Sequence, residues 1–220
     1  MNDLGLPAPL DLLPPLLDGL RVTLRLTLGG ALVAVVCALL AGTGRLSPVL
    51  PVRWLCTIYV EVFRGTSVLV QLFWFYFALP RLGVEISAMT AGILALGLNA
   101  GSYGAEVVRG AIQSVPRGQL DAGRALGFTD RQIRWRIVLP QAALLMLPPA
   151  GNLLIELLKN SALASMITLT DLTFQGQVLR ASTLRTLEIF GLVLVLYFAL
   201  AQLIIFGMRR LERALSAGRM

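Results

Sequence analysis

The sequence predicts an all-α integral membrane protein of about five transmembrane helices. Three observations predict it. Of its 220 residues 56% are hydrophobic and only 14% charged, and the mean hydropathy is +0.77. A soluble domain carries about a quarter charged residues, so most of this surface does not face water. Apolar runs of roughly the 20 residues that cross a bilayer alternate with short polar stretches. Helices satisfy their own backbone groups in lipid, and no two-residue alternation is long enough for a barrel. The net charge of +7 lies in short runs between the apolar segments. That pattern marks membrane topology rather than nucleic-acid binding.

Taken in order, Asp3, Asp11 and Asp18 precede the first span, with no basic residue before Arg21. The start has no basic region ahead of its apolar run, so it does not read as a cleavable signal peptide. Span one covers about Leu20 to Thr43, with Arg21 and Arg25 able to snorkel at its outer end. Arg45 and Arg53 bracket a short loop containing Pro48 and Pro51. Span two covers about Thr57 to Leu79; its aromatic outer half, ending at Pro80, suits an interfacial belt. Glu61 and Arg64 stand three apart at its inner end, the spacing of a helical ion pair.

Span three, about Ala88 to Arg109, is rich in small residues. Gly97 and Gly101 are four apart, as are Ala100 and Gly104, which lets helices approach closely in lipid. Asn99 and Ser102 should face other helices or a cavity, and Glu106 and Arg109 repeat the three-residue spacing. The polar stretch of about residues 110–140 follows, and within it Gly127 separates two short helical pieces. Span four, about Leu144 to Met166, contains Pro148, Pro149, Gly151 and Asn152 near its start. Glu156, Lys159 and Asn160 then fall near mid-depth. Residues 168–186 read as polar and either external or partly re-entrant, and span five runs from Leu187 to Met208. The tail carries Arg209, Arg210, Arg213 and Arg219.

Basic residues assign the sides. The proposed inner side holds Arg45, Arg53, Arg64, Arg109, Arg117, Arg124, Arg131, Arg134, Arg136 and the four tail arginines. The outer side holds only Arg21, Arg25, Arg81, Arg180 and Arg185. The asymmetry predicts an external N-terminus and a cytoplasmic C-terminus. Cys37 and Cys56 read as small apolar packing residues. There is no His, which removes the commonest metal ligand, and no metal-ligand spacing is present.

Charge inside a span points to a site. An ion at the bilayer centre costs roughly 2.5–3.5 kcal/mol, so it usually meets a partner or a cavity. Glu156 and Lys159 could pair with each other at their three-residue spacing. Alternatively they line a translocation path with Asn152, Asn160 and Asn99, where a zwitterion would find both charge signs.

One stretch carries a resemblance. Asp121-Ala122-Gly123, then Gly127, then Ile137-Val138-Leu139-Pro140 resembles the EAA loop of bacterial ATP-binding-cassette importer permeases. That pattern is Glu-Ala-Ala, three residues, Gly, nine residues, Ile-x-Leu-Pro. GLRVTLRLT, YVEVFRGTSVLVQLFWFYF, EVVRGAIQSVPRGQ, LPQA, LPPAGN and LLKNSAL are similar to the polar amino-acid branch, so the likeness covers about Gly19 to Met208. Asp121 departs from the usual Glu and Gly123 from the usual Ala.

The resemblance implies a single permease domain of the type I importer fold in the bacterial cytoplasmic (inner) membrane. It implies a loop coupled to cytoplasmic ATPase subunits through Asp121, Ala122, Gly123, Leu126, Gly127, Ile137, Leu139 and Pro140. A second permease, identical or paralogous, an extracytoplasmic solute-binding protein and membrane lipid are the other implied partners. The solute would be a polar amino acid or a related compatible solute. Lys159 is the only Lys, and no Gly-x-x-x-x-Gly-Lys phosphate loop exists. No cofactor is therefore expected on this chain, with ATP and Mg held by the partner ATPase. A stand-alone channel or secondary transporter for a small polar solute is the alternative reading.

Overall fold

The computed structural model describes residues 10–216; Asp3 and Arg219 of the topology argument lie outside them. Helix α1 (Leu13–Gly44) begins with Pro14 and Pro15 in its first turn. There their fixed φ fits a helix and their missing N–H costs nothing. Its main partner is α4 (Ala88–Gln113), which packs along it. The small residues predicted to allow this do so. A Cβ on Gly97 would stand 2.6 Å from Val33 Cβ, and one on Gly104 would stand 2.7 Å from Ala38 Cβ.

Helix α4 is the centre of the bundle and buries Asn99 and Ser102. Among the described residues, three helical stretches are long and apolar enough to cross a membrane: Leu13–Gly44, Asp130–Ile167 and Thr186–Ser216. A bent pair, Leu50–Gly65 with Val68–Leu82, makes a fourth if it is one span. Helix α4 is too polar by that measure because its small and polar residues face protein.

The second expected span is not straight. It divides into α2 (Leu50–Gly65) and α3 (Val68–Phe73), which turn by 105° at the junction. Gly65 ends the first helix, and Thr66 and Ser67 are extended, at φ −120°, ψ 150° and φ −66°, ψ 134°. A break in apolar surroundings must find donors for the carbonyls it frees. Gln71 Nε2 reaches Thr66 Oγ1 at 2.7 Å, Phe63 O at 2.9 Å and Thr66 O at 3.3 Å. Asn99 Nδ2 donates to the same Phe63 oxygen at 2.9 Å, and Thr66 Oγ1 donates to Val62 O at 2.8 Å.

Beyond α3 the chain widens into a π turn, Trp74–Ala78, just before Pro80. A second π turn, Arg134–Val138, stands just before Pro140. A proline lacks its N–H and its ring crowds the preceding turn. One wide turn relieves the crowding without ending the helix.

The polar loop contains α5 (Arg117–Ala125) and α6 (Asp130–Ile133). The first helix starts four residues before Asp121. Helix α7 (Leu139–Asn160) then continues into a 3-10 turn, Ser161–Ile167, so the fourth span starts earlier than its apolar run suggests. Pro148 and Pro149 lie inside α7 and do not break it.

The stretch expected to be a polar external segment holds a helix, α8 (Leu172–Thr183). Asp171 caps it by accepting from Phe174 N at 3.0 Å and Thr173 N at 3.3 Å. Leu172 N donates to Thr23 Oγ1 at 3.1 Å, which ties the start of α8 to α1. Helix α9 (Thr186–Ser216) completes the bundle. At one end of the bundle Arg185 binds Asp11 at 2.7 Å. At the other end, beyond the length of α1, Arg45 binds Glu106.

Candidate functional site: a mid-span pocket and an exposed loop

A small pocket lies beside the α2–α3 break. Val68, Leu96, Asn99, Ala100, Tyr103, Leu153, Glu156, Leu157 and Asn160 line it. Three elements build it. Helix α4 contributes every fourth residue of one face, Leu96, Ala100 and, with Asn99, Tyr103. Helix α7 contributes Leu153, Glu156, Leu157 and Asn160 at the three- and four-residue spacing of one face. The break sets Val68 at its rim.

Of the candidate path residues, Asn99, Glu156 and Asn160 come together here. Asn152 and Lys159 do not line the pocket and are exposed. Glu156 and Lys159 form no ion pair with each other, and Glu156 makes none among the described residues. Asn99 has a structural task besides lining the pocket, since it holds the Phe63 carbonyl. Of the other polar wall residues, Tyr103 is engaged by Arg64, whereas Glu156 makes no ion pair among the described residues.

Below the pocket is a knot of charge that pairwise spacing did not foresee. Glu106 Oε2 accepts from Arg109 Nε at 2.9 Å and Nη2 at 2.8 Å. Its Oε1 accepts from Arg45 and, at 3.2 Å, from Arg64. The expected Glu106–Arg109 pair is thus present. The expected Glu61–Arg64 pair is not: Arg64 turns to Glu106, and Glu61 faces Arg45 at 3.9 Å. The guanidinium of Arg64 also lies over the ring of Tyr103, 5.2 Å from its centroid. Tyr59 Oη donates to Leu98 O at 2.7 Å and fastens α2 to α4 above the knot.

The loop of residues 110–140 has its own small core. Ala111, Val115, Ile133, Val138 and Ala142 are buried there, with Leu120, Phe128 and Ile137 against them. Gly127 makes the turn at φ +77°, a conformation that glycine adopts without steric cost. Gly127 N donates to Arg124 O at 2.9 Å and Phe128 N to Gly123 O at 3.0 Å, which closes the end of α5. Thr129 and Gln132 form a capping box that starts α6.

The eight residues of the motif fall in two sets. Gly123 is buried against Ile133 and Ile137, with Leu139 and Pro140 half-buried behind them. Asp121, Ala122, Leu126 and Gly127 are exposed. Leu126 is 75% exposed, and Trp135 nearby in sequence is 64% exposed. Asp121 pairs with Arg124 at 3.1 Å on open surface, where such a pair contributes little.

Sequence reasoning missed Gln71, Tyr103, the convergence on Glu106, and Asp171. Gln71 and Asp171 had a readable sign. Gln71 follows a Gly-Thr-Ser interruption, and Asp171 precedes a helical pattern as a cap does. The convergence on Glu106 joins residues 45, 64, 106 and 109, which no local pattern brings together.

Comparison with known proteins fits this arrangement. Residues 30–216 match the family described as binding-protein-dependent transport system inner membrane component. The chain is 44% identical over 215 residues to the Probable amino-acid ABC transporter permease protein y4tF of Sinorhizobium fredii, covering 95% of this chain and 90% of that one. It is 36% identical over 203 residues to the glutamine transport system permease protein GlnP of Escherichia coli, covering 91% and 93%. Among solved structures, an amino acid ABC transporter crystallised with histidines superposes with a TM-score of 0.85 at 35% identity, covering 92% of this chain and 94% of that one. The MetNI methionine ABC transporter in an inward-facing conformation gives 0.78 at 26% identity, covering 96% and 100%. With its apolar helices packed round α4, this chain belongs to the binding-protein-dependent transport system inner membrane component family.

Proposed function

We propose that this chain is the membrane-spanning permease subunit of an ATP-driven importer that moves a polar amino acid or a related compatible solute. The observation that carries the reading is the loop of residues 110–140. It is folded over its own core, yet it leaves Ala122, Leu126 and Trp135 bare. An apolar face held rigidly on charged surroundings suits a partner's cleft. The partner in this reading is a cytoplasmic ATPase, which binds ATP and Mg and shifts the loop as it closes. This chain holds no cofactor and catalyses no covalent step.

The complex has a second permease, identical or paralogous, and an external solute-binding protein that delivers the substrate. The side bearing the loop and the arginine-rich tail is cytoplasmic, in a bacterial inner membrane. The pocket beside the α2–α3 break is the site the solute passes. A discontinuous helix at mid-depth is tolerated where it lines a cavity, and such breaks recur at transport sites. Glu156 is the group there that meets the solute's cationic end.

Three measurements test this. Leu126→Glu should abolish co-elution of the ATPase with the permease and abolish uptake, with the permease still inserted in the membrane. Intact co-elution would reject the docking face. Glu156→Gln should lower uptake by the reconstituted complex and spare its basal ATP hydrolysis. Uptake at the wild-type rate would reject the pocket. Uptake without any ATPase present would favour a stand-alone transporter.

A further inference from the structure

We propose that Arg64, stacked behind the Tyr103 wall of the pocket, binds the carboxylate of the transported solute while Glu156 meets its ammonium. The inference rests on the reading of the pocket as the transport site. It begins with an imbalance at Glu106. Arg109 takes one oxygen with two nitrogens, at 2.8 and 2.9 Å. Arg45, whose side chain is only 14% exposed, takes the other oxygen. Arg64 reaches that same oxygen at 3.2 Å as a third cation. Glu61, the one further acid at the knot, lies 3.9 Å from Arg45. Arg64 is therefore the surplus charge, and its side chain is the most exposed of the three arginines.

Its position is the second observation. The guanidinium stacks over Tyr103, and Tyr103 is pocket wall. Val68, one helical turn on in sequence but beyond the break, is also pocket wall. The 105° turn between α2 and α3 is what brings the end of α2 to this point. The pocket itself presents a carboxylate, Glu156, without an ion-pair partner among the described residues. An anion on one wall and a guanidinium behind another complement a zwitterion. A guanidinium fork matches a carboxylate in two parallel hydrogen bonds. The ligand class is a free α-amino acid whose α-carboxylate is required. When it leaves, Arg64 returns to Glu106, which stays neutralised throughout by Arg45 and Arg109.

The test uses the purified complex of permease and ATPase. Binding of the twenty standard L-amino acids is screened, and the tightest binder is compared with its own α-carboxamide. The wild type should prefer the acid to the amide. Arg64→Gln, which can still donate to Glu106, should weaken the acid by about tenfold or more and bring the acid-to-amide ratio close to one. Arg64→Lys should restore part of the preference. Glu156→Gln should weaken acid and amide alike, because both keep the ammonium. A ratio unchanged in Arg64→Gln overturns the assignment and leaves Arg64 as a brace. Unchanged binding in Glu156→Gln, or no amino acid bound by the wild type, rejects the pocket reading itself.

Discussion

Two places in this bundle look equally able to interrupt a helix, and only one does. Pro148 and Pro149 sit inside α7, where their missing N–H groups and bulky rings should kink or end it, yet the helix continues to Asn160. Gly65, Thr66 and Ser67 carry no such steric demand, yet the chain there turns by 105°. The difference is in the partners. At the α2–α3 break, Gln71 and Asn99 supply amide donors to the freed Phe63 and Thr66 carbonyls. Among the side-chain hydrogen bonds of the described residues, none reaches a carbonyl in residues 144–149 of α7. A sharp break in apolar surroundings persists where side chains satisfy its backbone. Breaking propensity alone does not predict it.

The largest expected effect follows from removing those donors. Asn99→Leu and Gln71→Leu each strip a hydrogen bond from the half-buried Phe63 carbonyl. An unsatisfied buried group costs about 1–3 kcal/mol. The double substitution should destabilise by more than either single one, and because both bond Phe63 O their effects should not add. Unfolding of the detergent-solubilised chain, followed by heat or denaturant, reads both statements. Stability unchanged in the double variant would mean that the break holds itself.

The same rule operates at the start of α8, where Asp171 is fully buried and caps the helix. Burial pushes its carboxyl up from 3.8 to about 6, even though the Phe174 and Thr173 amides pull the other way. The folded state therefore holds this proton more tightly than the unfolded state. Its contribution is fully present below about pH 4, is lost as pH rises towards 6, and is flat above. The loss is on the order of 3 kcal/mol if Asp171 acts alone. Asp171→Asn keeps a capping oxygen and removes the titration, so the variant should show a flatter stability profile between pH 4 and 6. An identical slope in the variant would assign the titration to another group.

Much of this was legible in the sequence, for identifiable reasons. Helices α1 and α9 are long apolar runs with few competing signals. The small-residue stripe of α4 has a fixed spacing that can only mean close packing, and Gly97 and Gly104 meet α1 as that spacing requires. The loop's turn was readable because Gly127 adopts a backbone conformation that other residues avoid. The break at Thr66 was only partly readable: Gln71 follows Gly-Thr-Ser, but Asn99, which also holds Phe63 O, is 36 positions away in a different helix. Helix α8 was hidden because its polar residues resemble a loop until Leu172 and Gly176 are seen to be buried. Glu156 stood out because a charge in an apolar run is rare, but the three-residue spacing did not show that it lines the pocket rather than pairing with Lys159. Arg64 looked like half of a local pair, and a longer-range carboxylate took it instead.

Smaller effects test the unbroken half of the comparison. A regular α7 should gain from Pro148→Ala, because alanine restores a helical donor. The gain is bounded by the roughly 3 kcal/mol proline penalty, and neighbours that already compensate should reduce it to about 1 kcal/mol or less. Thermal unfolding of this variant should show equal or higher stability. A clear loss would mean that the proline ring itself is packed against a neighbour.

The smallest expected effect lies in the loop, at the position that departs from the Glu-Ala-Ala pattern. A Cβ on Gly123 would stand 2.8 Å from Ile137 Cδ1 and 3.1 Å from Ile133 Cγ1. The first is the tip of a flexible side chain and can move. The second is nearer the backbone and must give by a few tenths of an ångström. Against that strain, alanine adds up to about 1 kcal/mol of helix preference over glycine. The two nearly cancel, so Gly123→Ala should change stability by no more than about 0.5 kcal/mol, within the ordinary spread for mild substitutions. It should leave ATPase co-elution intact, because Gly123 faces the loop's own core and the bare face is Ala122 and Leu126. Gly127→Ala is the control in the same turn. It forces a Cβ into φ +77° and should cost about 1–2 kcal/mol. If Gly123→Ala proved the worse of the two, α5 would have to lie tighter on Ile133 than the close contact alone implies, and the glycine would be a packing requirement of this loop.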